Sequence, residues 1–398
     1  AFNLSPFQGN ESELSRVINF GYDNEVTKPY HYQVDLCNQQ LHVEFAPSRQ
    51  SAIYHFNYKK NETPYLILNA GNGELEVIGN VISGYQNMWN NLRVYVYMEM
   101  DVKPTKIGTL QSDKWEVGKQ KAKGDNTCVV VAWEAAPMSL NVRYGVSYIS
   151  VEQAKKNLRR EIKNYKLKDV ATAGRKIWND ELGKIQVAGG TQNDKFVFYT
   201  SLYRCLERPV NISEDGYYFS VYDNKVHEDA GYDYYTDDWI WDSYRAAHPL
   251  RILMDQKKQT NIIRSYLRMS ELSSDHWFPN FPEVTGDSRR MNCNHGVATI
   301  IDCYEKGIRN FDLGKAYKAC KGAITEKAGI EEKTLAPWSS AQSGWIDQFY
   351  KEKGYIPSLI PGEKETVPEV NSFEKRQSVA VTLGTSYDQW CLSRIAAA

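Results

Sequence analysis

Long apolar runs are missing from this chain. Stretches such as Cys128–Trp133 are strand-length, far short of the roughly 20 residues that a membrane-spanning helix needs. The opening Ala1-Phe2-Asn3 has neither the basic start nor the apolar stretch of a signal peptide. The sequence therefore reads as one that begins after cleavage, or as a piece of a longer protein. A basic excess is also missing: 48 Lys+Arg stand against 49 Asp+Glu, for a formal net charge of -1. No nucleic-acid or membrane partner is expected, because such partners call for a basic face. The seven Cys, at 37, 128, 205, 293, 303, 320 and 391, include no CxxC pair. An odd, unspaced set supports neither a disulfide framework nor a zinc site. Most should pack as small core residues. No GxSxG, Walker A, GxGxxG or EF-hand pattern occurs.

Aromatic residues, by contrast, are plentiful: 27 Tyr, 13 Phe and 10 Trp in 398 residues. A pyranose has an apolar face that stacks on a ring, so this richness suits a sugar-binding surface. The plainer source is a large β core built with Tyr and Phe. The length leaves room for two or three domains with sizeable cores. Sequons at Asn3, Asn10, Asn61 and Asn211 would matter only in a eukaryotic secretory route.

Two periods organise the chain. Leu41, Val43 and Phe45 alternate with His42 and Glu44, and Ala52 to Tyr58, Val94 to Met100 and Leu140 to Tyr148 repeat the period of two. Turn residues such as Gly71-Asn72-Gly73 fall between the runs. Eight or more strands without a helix predict an antiparallel β-sandwich over 1–149. Ser150 and Gln153 then form a capping box, and Val151, Ala154, Leu158 and Ile162 follow at helical spacing. Lys155, Lys156, Arg159, Arg160 and Lys163 read as the solvated face of that helix. A second helix is expected near 169–183, making 150–189 a helical linker. From about 190 the helical period dominates, as in Val297, Ile300, Ile301 and Tyr304, or Val379, Leu383, Tyr387, Trp390, Cys391 and Ile395. Six or seven helices are predicted over 190–398, joined by long loops where binding residues usually sit.

Two loop-to-helix segments carry chemistry. Tyr234 through Leu250 concentrates aromatics, carboxylates and an Arg. A sugar site needs carboxylates to accept from vicinal hydroxyls beside an aromatic wall. Asp242 and Arg245 are three apart and could orient each other on a helix, with Trp241 alongside; a helix-capping ion pair over a core Trp explains the same residues. The second segment is His276 through Gly296. Gly286-Asp287 reads as a turn, and Asn294 as the N-cap of a helix through Tyr304, which places His295 at a helix start. His295 there fits a polar ligand or a purely structural bond. His276, Cys293 and His295 lack metal-ligand spacing.

Trp241-Asp242-Ser243-Tyr244-Arg245 with Pro249-Leu250 resembles the W-D-[TS]-[FY]-R…P-L signature of family 92 glycoside hydrolases. Met291 through Gly296, continuing into Ile301-Asp302-Cys303-Tyr304-Glu305-Lys306-Gly307-Ile308, is similar to that family's M-x-G-x-H-A…I-A-D-A-Y-x-K-G-I. Thr382-Leu383-Gly384-Thr385-Ser386-Tyr387-Asp388-Gln389-Trp390 resembles its T-L-E-x-x-Y-D-D-W, and Tyr22 through Tyr32 its first strands. The matches are ordered and spread over nearly the whole chain. The resemblance implies a β-sandwich, linker helices and an (α/α)6 barrel, here in part. It also implies a calcium-dependent, inverting exo-α-mannosidase, with α-1,2-linked mannose of N-glycans as the expected substrate, in a secreted, periplasmic or cell-surface setting. Inversion needs a general acid and a general base roughly 6.5–9.5 Å apart. The family's acid lies in a G-N-E…P-Y-x-Y-N stretch and its base in G-N-D-D-x-G. Both follow the T-L-E-like helix, so both are expected beyond Ala398, in a segment that completes the barrel. Asp242, Arg245 and Trp241 are then expected to bind mannose, with Asp287 and His295 beside them, and the 398 residues alone to be inactive. A non-catalytic carbohydrate-binding protein and another inverting (α/α)6 glycosidase or phosphorylase are the competing readings.

Overall fold

The computed structural model describes residues 2–58, 62–111, 114–134, 139–289, 291, 293–325, 349–350, 352–367, 370 and 376–398. Asn61 of the third sequon, and Arg290 and Asn292 of the second segment, lie outside the described residues. The chain divides into two compact units, Ala1–Ala188 and Gly189–Ala398.

The first unit is antiparallel β structure. Its strands are Asn3–Gln8 (β1), Tyr22–Lys28 (β2), His31–Leu36 (β3), Leu41–Pro47 (β4), Ser51–Asn57 (β5), Pro64–Ile78 (β6), Val81–Asn87 (β7), Arg93–Met100 (β8), Lys106–Gln111 (β9), Lys114–Val117 (β10), Lys121–Ala132 (β11) and Ser139–Ser147 (β12). Hydrogen bonding runs in the order β10-β9-β11-β6-β7-β8-β12-β5-β4-β3-β2, with β1 added beside β6. The sheet folds over on itself. Val34, Val43 and Phe56 of one layer and Leu66, Val129 and Val131 of the other share one core, as the period of two anticipates. β6 breaks the alternation because both its faces are covered. Leu66 and Leu68 face that core, while Tyr65 and Ile67 join Phe7, Leu14, Trp115 and Val130 on the other side.

Two helices belong to this unit, α1 (Val151–Glu161) and α2 (Leu167–Leu182). Leu158 and Ile162 cover Ala46 and Ile53 on the outer face of the sheet. Ser150 caps α1 by accepting from Gln153 N at 3.0 Å, and the Gln153 amide runs on to Asn157 at 3.1 Å. The structure thus shows the serine half of the expected box. Lys155, Lys156, Arg159, Arg160 and Lys163 are exposed. Beneath the helix, Arg143 and Glu99 form a buried pair with Nη2–Oε2 at 2.6 Å. α1 approaches β12 so closely that a Cβ on Gly145 would lie 2.2 Å from the Ala154 carbonyl oxygen. Gly145→Ala is expected to destabilise the unit by roughly 1–3 kcal/mol, the usual overpacking cost. Thermal denaturation of the variant checks this, and an unchanged midpoint would mean that α1 shifts freely.

The second unit is helical: α3 (Gln192–Glu207), α4 (Ile240–Ser243), α5 (Ala247–Met254), α6 (Gln256–Leu272), α7 (Gly296–Glu305), α8 (Leu313–Thr325) and α9 (Ser378–Ala397). The loops carry two-residue ribbons, Val210–Asn211 with Tyr235–Thr236 and Pro282–Glu283 with Gly286–Asp287. The apolar stripe of α7 is buried, with Val297 and Ile300 fully covered. α9 corrects the sequence reading. Its buried side is Val381, Asp388, Cys391, Leu392 and Ile395, while Val379, Leu383 and Trp390 are exposed. The helix packs on α7 and α8, and the bonds made by Asp388 turn that side inward. All seven Cys are free; Cys128, Cys303, Cys320 and Cys391 are buried.

Candidate functional site

The first segment meets the second through rings and backbone. Trp239 stacks on Phe281 with centroids 5.6 Å apart, and Asp238 N donates to the Pro282 carbonyl at 2.9 Å. α4 then forms a single turn that lifts Trp241 and Asp242 outward, and both are exposed. Neither is core, which removes the helix-capping explanation for them. Partial desolvation raises the Asp242 carboxyl above its ordinary value, and the negative charge of Asp238 adds to it. The expected Asp242–Arg245 pairing does not form among the described residues. α4 ends at Ser243, so Arg245 falls in the following turn and donates its Nε to the Tyr244 hydroxyl at 2.8 Å.

The buried charge of this segment is Asp238, which sequence reasoning passed over. Its carboxylate accepts from Ser243 Oγ at 2.9 Å and from the Tyr266 hydroxyl. His248 Nε2 stands 2.8 Å from Oδ2, and the Gln259 amide nitrogen lies 3.0 Å from His248 Nδ1. Burial alone would raise the Asp238 carboxyl. His248, Arg251 and the Tyr266 hydroxyl outweigh burial and hold it well below the usual carboxylate range. The cluster locks the floor under α4. Asp238 and His248 were visible in the segment, but Gln259 and Tyr266 come from α6, and no local spacing points to them.

Asp287 staples its own loop. Its oxygens accept from the backbone N–H of Asn280 at 3.0 Å and of Phe281 at 2.8 Å, and Arg289 Nε lies 3.3 Å away. Gly286-Asp287 is the returning strand of the ribbon, and the turn falls at Val284-Thr285. His295, not Asn294, is the N-cap residue of α7, because the Asn294 amide turns away to the Phe278 carbonyl at 3.0 Å. His295 Nδ1 bonds Asp388 Oδ1 at 2.7 Å, and Asn294 N donates to Asp388 Oδ2 at 2.6 Å. The His295 ring lies 4.3 Å from Tyr244 and 6.2 Å from Tyr387. Tyr244 directly follows α4, so the loop that carries Asp242 and Trp241 closes on His295. The structure therefore sets His295 against Tyr244 and Tyr387, with Trp241 and Asp242 three and two residues ahead of Tyr244 on the exposed turn. Arg245 follows Tyr244 directly, and Asp287 holds its own loop. Asp388 lies in the Thr382–Trp390 stretch, but its link to His295 spans 93 residues and leaves no sequence signal.

Comparison with known proteins shows the family of the chain. The family model described as glycosyl hydrolase family 92 N-terminal domain matches residues 1–147, and the one described as glycosyl hydrolase family 92 catalytic domain matches 153–398. A protein of Arthroderma benhamiae named as an uncharacterized secreted glycosidase is 20% identical over 426 residues, covering 96% of this chain and 48% of its own length. A solved inverting mannosidase of family 92 from Bacteroides thetaiotaomicron superposes with TM-score 0.83 at 26% identity, covering 99% of this chain and 52% of that one. A family 92 α-mannosidase structure from the same organism, 22% identical, gives TM-score 0.82 over 99% and 53% and supports the fold. The chain spans about half the length of these relatives. With sandwich and helical region both matched, the chain belongs to glycosyl hydrolase family 92.

Proposed function

We propose that the protein is an inverting exo-α-mannosidase acting on α-1,2-linked mannose of N-glycans, in a secreted, periplasmic or cell-surface setting. The observation that carries this reading is the likeness to the inverting mannosidase together with an exposed carboxylate, Asp242, beside the Tyr244–His295 ring contact. An exposed Asp next to an aromatic wall suits a sugar: the carboxylate accepts from hydroxyls and the rings meet the apolar face. The extracytoplasmic setting draws support from the name of the Arthroderma relative. In this reading the 398 residues hold part of the mannose-binding wall. They contain no G-N-D-D-x-G motif, and Gly9-Asn10-Glu11, near their start, lacks the context of the family's G-N-E stretch, so the resemblance puts the carboxylate pair for hydrolysis outside them.

Calcium belongs to the proposal through the family resemblance. Among the described residues, no three His, Cys, Asp or Glu side chains converge, so any calcium held by them would rely on carbonyl, amide or water oxygens as well. No step is routed through the ion. Calorimetry with methyl α-mannoside and α-1,2-mannobiose, with and without calcium, tests the reading. The chain should bind both sugars and release no mannose. Asp242→Ala should weaken binding at least about tenfold, since hydrogen bonds to a charged acceptor are worth roughly 1.5–3 kcal/mol. Hydrolysis by the chain alone, or equal affinity in the variant, would overturn the respective part.

A further inference from the structure

Both oxygens of the buried Asp388 carboxylate are spent at the start of α7. One takes His295 Nδ1 at 2.7 Å and the other the Asn294 N–H at 2.6 Å. An ionised carboxylate only accepts, so Nδ1 must carry a hydrogen. That leaves Nε2 as the free ring atom, and among the described residues no group pairs with it. The ring plane is fixed from the side by Tyr244 and Tyr387. Tyr244 in turn follows the helix turn that bears Asp242.

The geometry points to Asp388 as a positioning residue: it sets the tautomer and plane of His295 so that Nε2 meets a hydroxyl of the mannose bound beside Asp242. The ligand part rests on the mannose-binding reading above; the tautomer part stands without it. With the hydrogen on Nδ1, Nε2 is an acceptor, and a sugar hydroxyl donates to it. Asp388→Asn is the informative variant. One amide oxygen cannot replace two carboxylate oxygens. If it keeps the Asn294 N–H, the amide NH2 faces Nδ1, and the ring must move its hydrogen to Nε2.

The experiment is 15N NMR of the 398-residue chain labelled at histidine, with His295→Gln assigning the resonance, followed by titration with methyl α-mannoside. The wild-type ring should carry its hydrogen on Nδ1. The Nε2 signal should move on adding sugar. Asp388→Asn should shift the hydrogen to Nε2 and weaken sugar binding up to about tenfold, the scale of one lost hydrogen bond. A bare Nδ1 in the wild type overturns the positioning role, even if the variant fails to fold. An Nε2 signal unmoved at saturating mannoside overturns the contact. A wild-type chain that binds no mannoside overturns the mannose reading and this contact with it, while the tautomer still decides the positioning role.

Discussion

Glu99→Ala is expected to cost the first unit about 3–5 kcal/mol, the range for stripping one partner from a buried ion pair. Glu99 and Arg143 are 4% and 5% exposed, so neither can turn to water. Glu99 Oε2 receives Arg143 Nε at 3.0 Å and Nη2 at 2.6 Å, and Oε1 receives the Tyr97 hydroxyl at 3.1 Å as well as Arg159. Arg143 Nη1 reaches on to the Ile162 carbonyl at 2.8 Å, and its guanidinium lies 4.5 Å from the Tyr165 ring. The residue thus joins β8, β12 and the end of α1. Without Glu99, the Arg143 charge stays buried without a counter-charge, beside the Ile162 carbonyl and Tyr165. Hydrogen exchange on β8 and β12 should accelerate roughly a hundredfold or more if opening follows global stability. Glu99→Leu combined with Arg143→Met should recover most of the loss, because an apolar pair of similar volume carries no desolvation cost. Equal loss in the single and double variants would show that the charge was not the cause.

Asp238→Asn is the corresponding experiment in the second unit. It leaves His248, Tyr266 and Ser243 competing for one neutral acceptor in a site 1% exposed, at an expected cost of about 3 kcal/mol. The sign with pH follows from the lowered carboxyl. A depressed folded pKa gives stability that is full above the unfolded value, near 3.9, and fades as pH falls toward the folded one. The gap between wild type and Asp238→Asn should therefore be constant near neutrality and narrow below about pH 4. Hydrogen exchange on α5 and α6 at pH 7 and pH 3.5 measures it. An unchanged gap would mean that shape, and not charge, holds the cluster. The loop above it carries Asp242, so the variant should also blunt sugar binding.

Much of the fold was legible because burial writes a period. Val34, Val43 and Leu140 announce one wet and one dry face. Where both faces are covered the period vanishes, as at Tyr65–Leu68 on β6, and only a bare apolar run remains. α9 misled for the opposite reason. Val379, Leu383, Tyr387 and Trp390 make a clean stripe, but the inward side is set by the bonds of Asp388, a polar residue that no hydrophobic count includes. The site divides the same way. Trp241, Asp242 and His295 could be named from their segments. Asp238 and Asp388 could not be distinguished from surface acids, because their partners are far off in sequence.

β6 also has a consequence in time. Its whole length along one edge pairs with β11, Tyr65 with Ala132 and Glu76 with Lys121. β1 is made before it, and β7 directly after, but both lie on its other edge. During synthesis, then, a strand whose first residues, Tyr65–Leu68, are apolar on both faces waits with one edge unpaired until β11 emerges, on the order of several seconds at about 5–20 residues per second. Exposed edges of that kind recruit other strands. The stretch from Pro64 to Leu68 is therefore one that a nascent chain needs to shield, and slow translation before β11 would prolong that need.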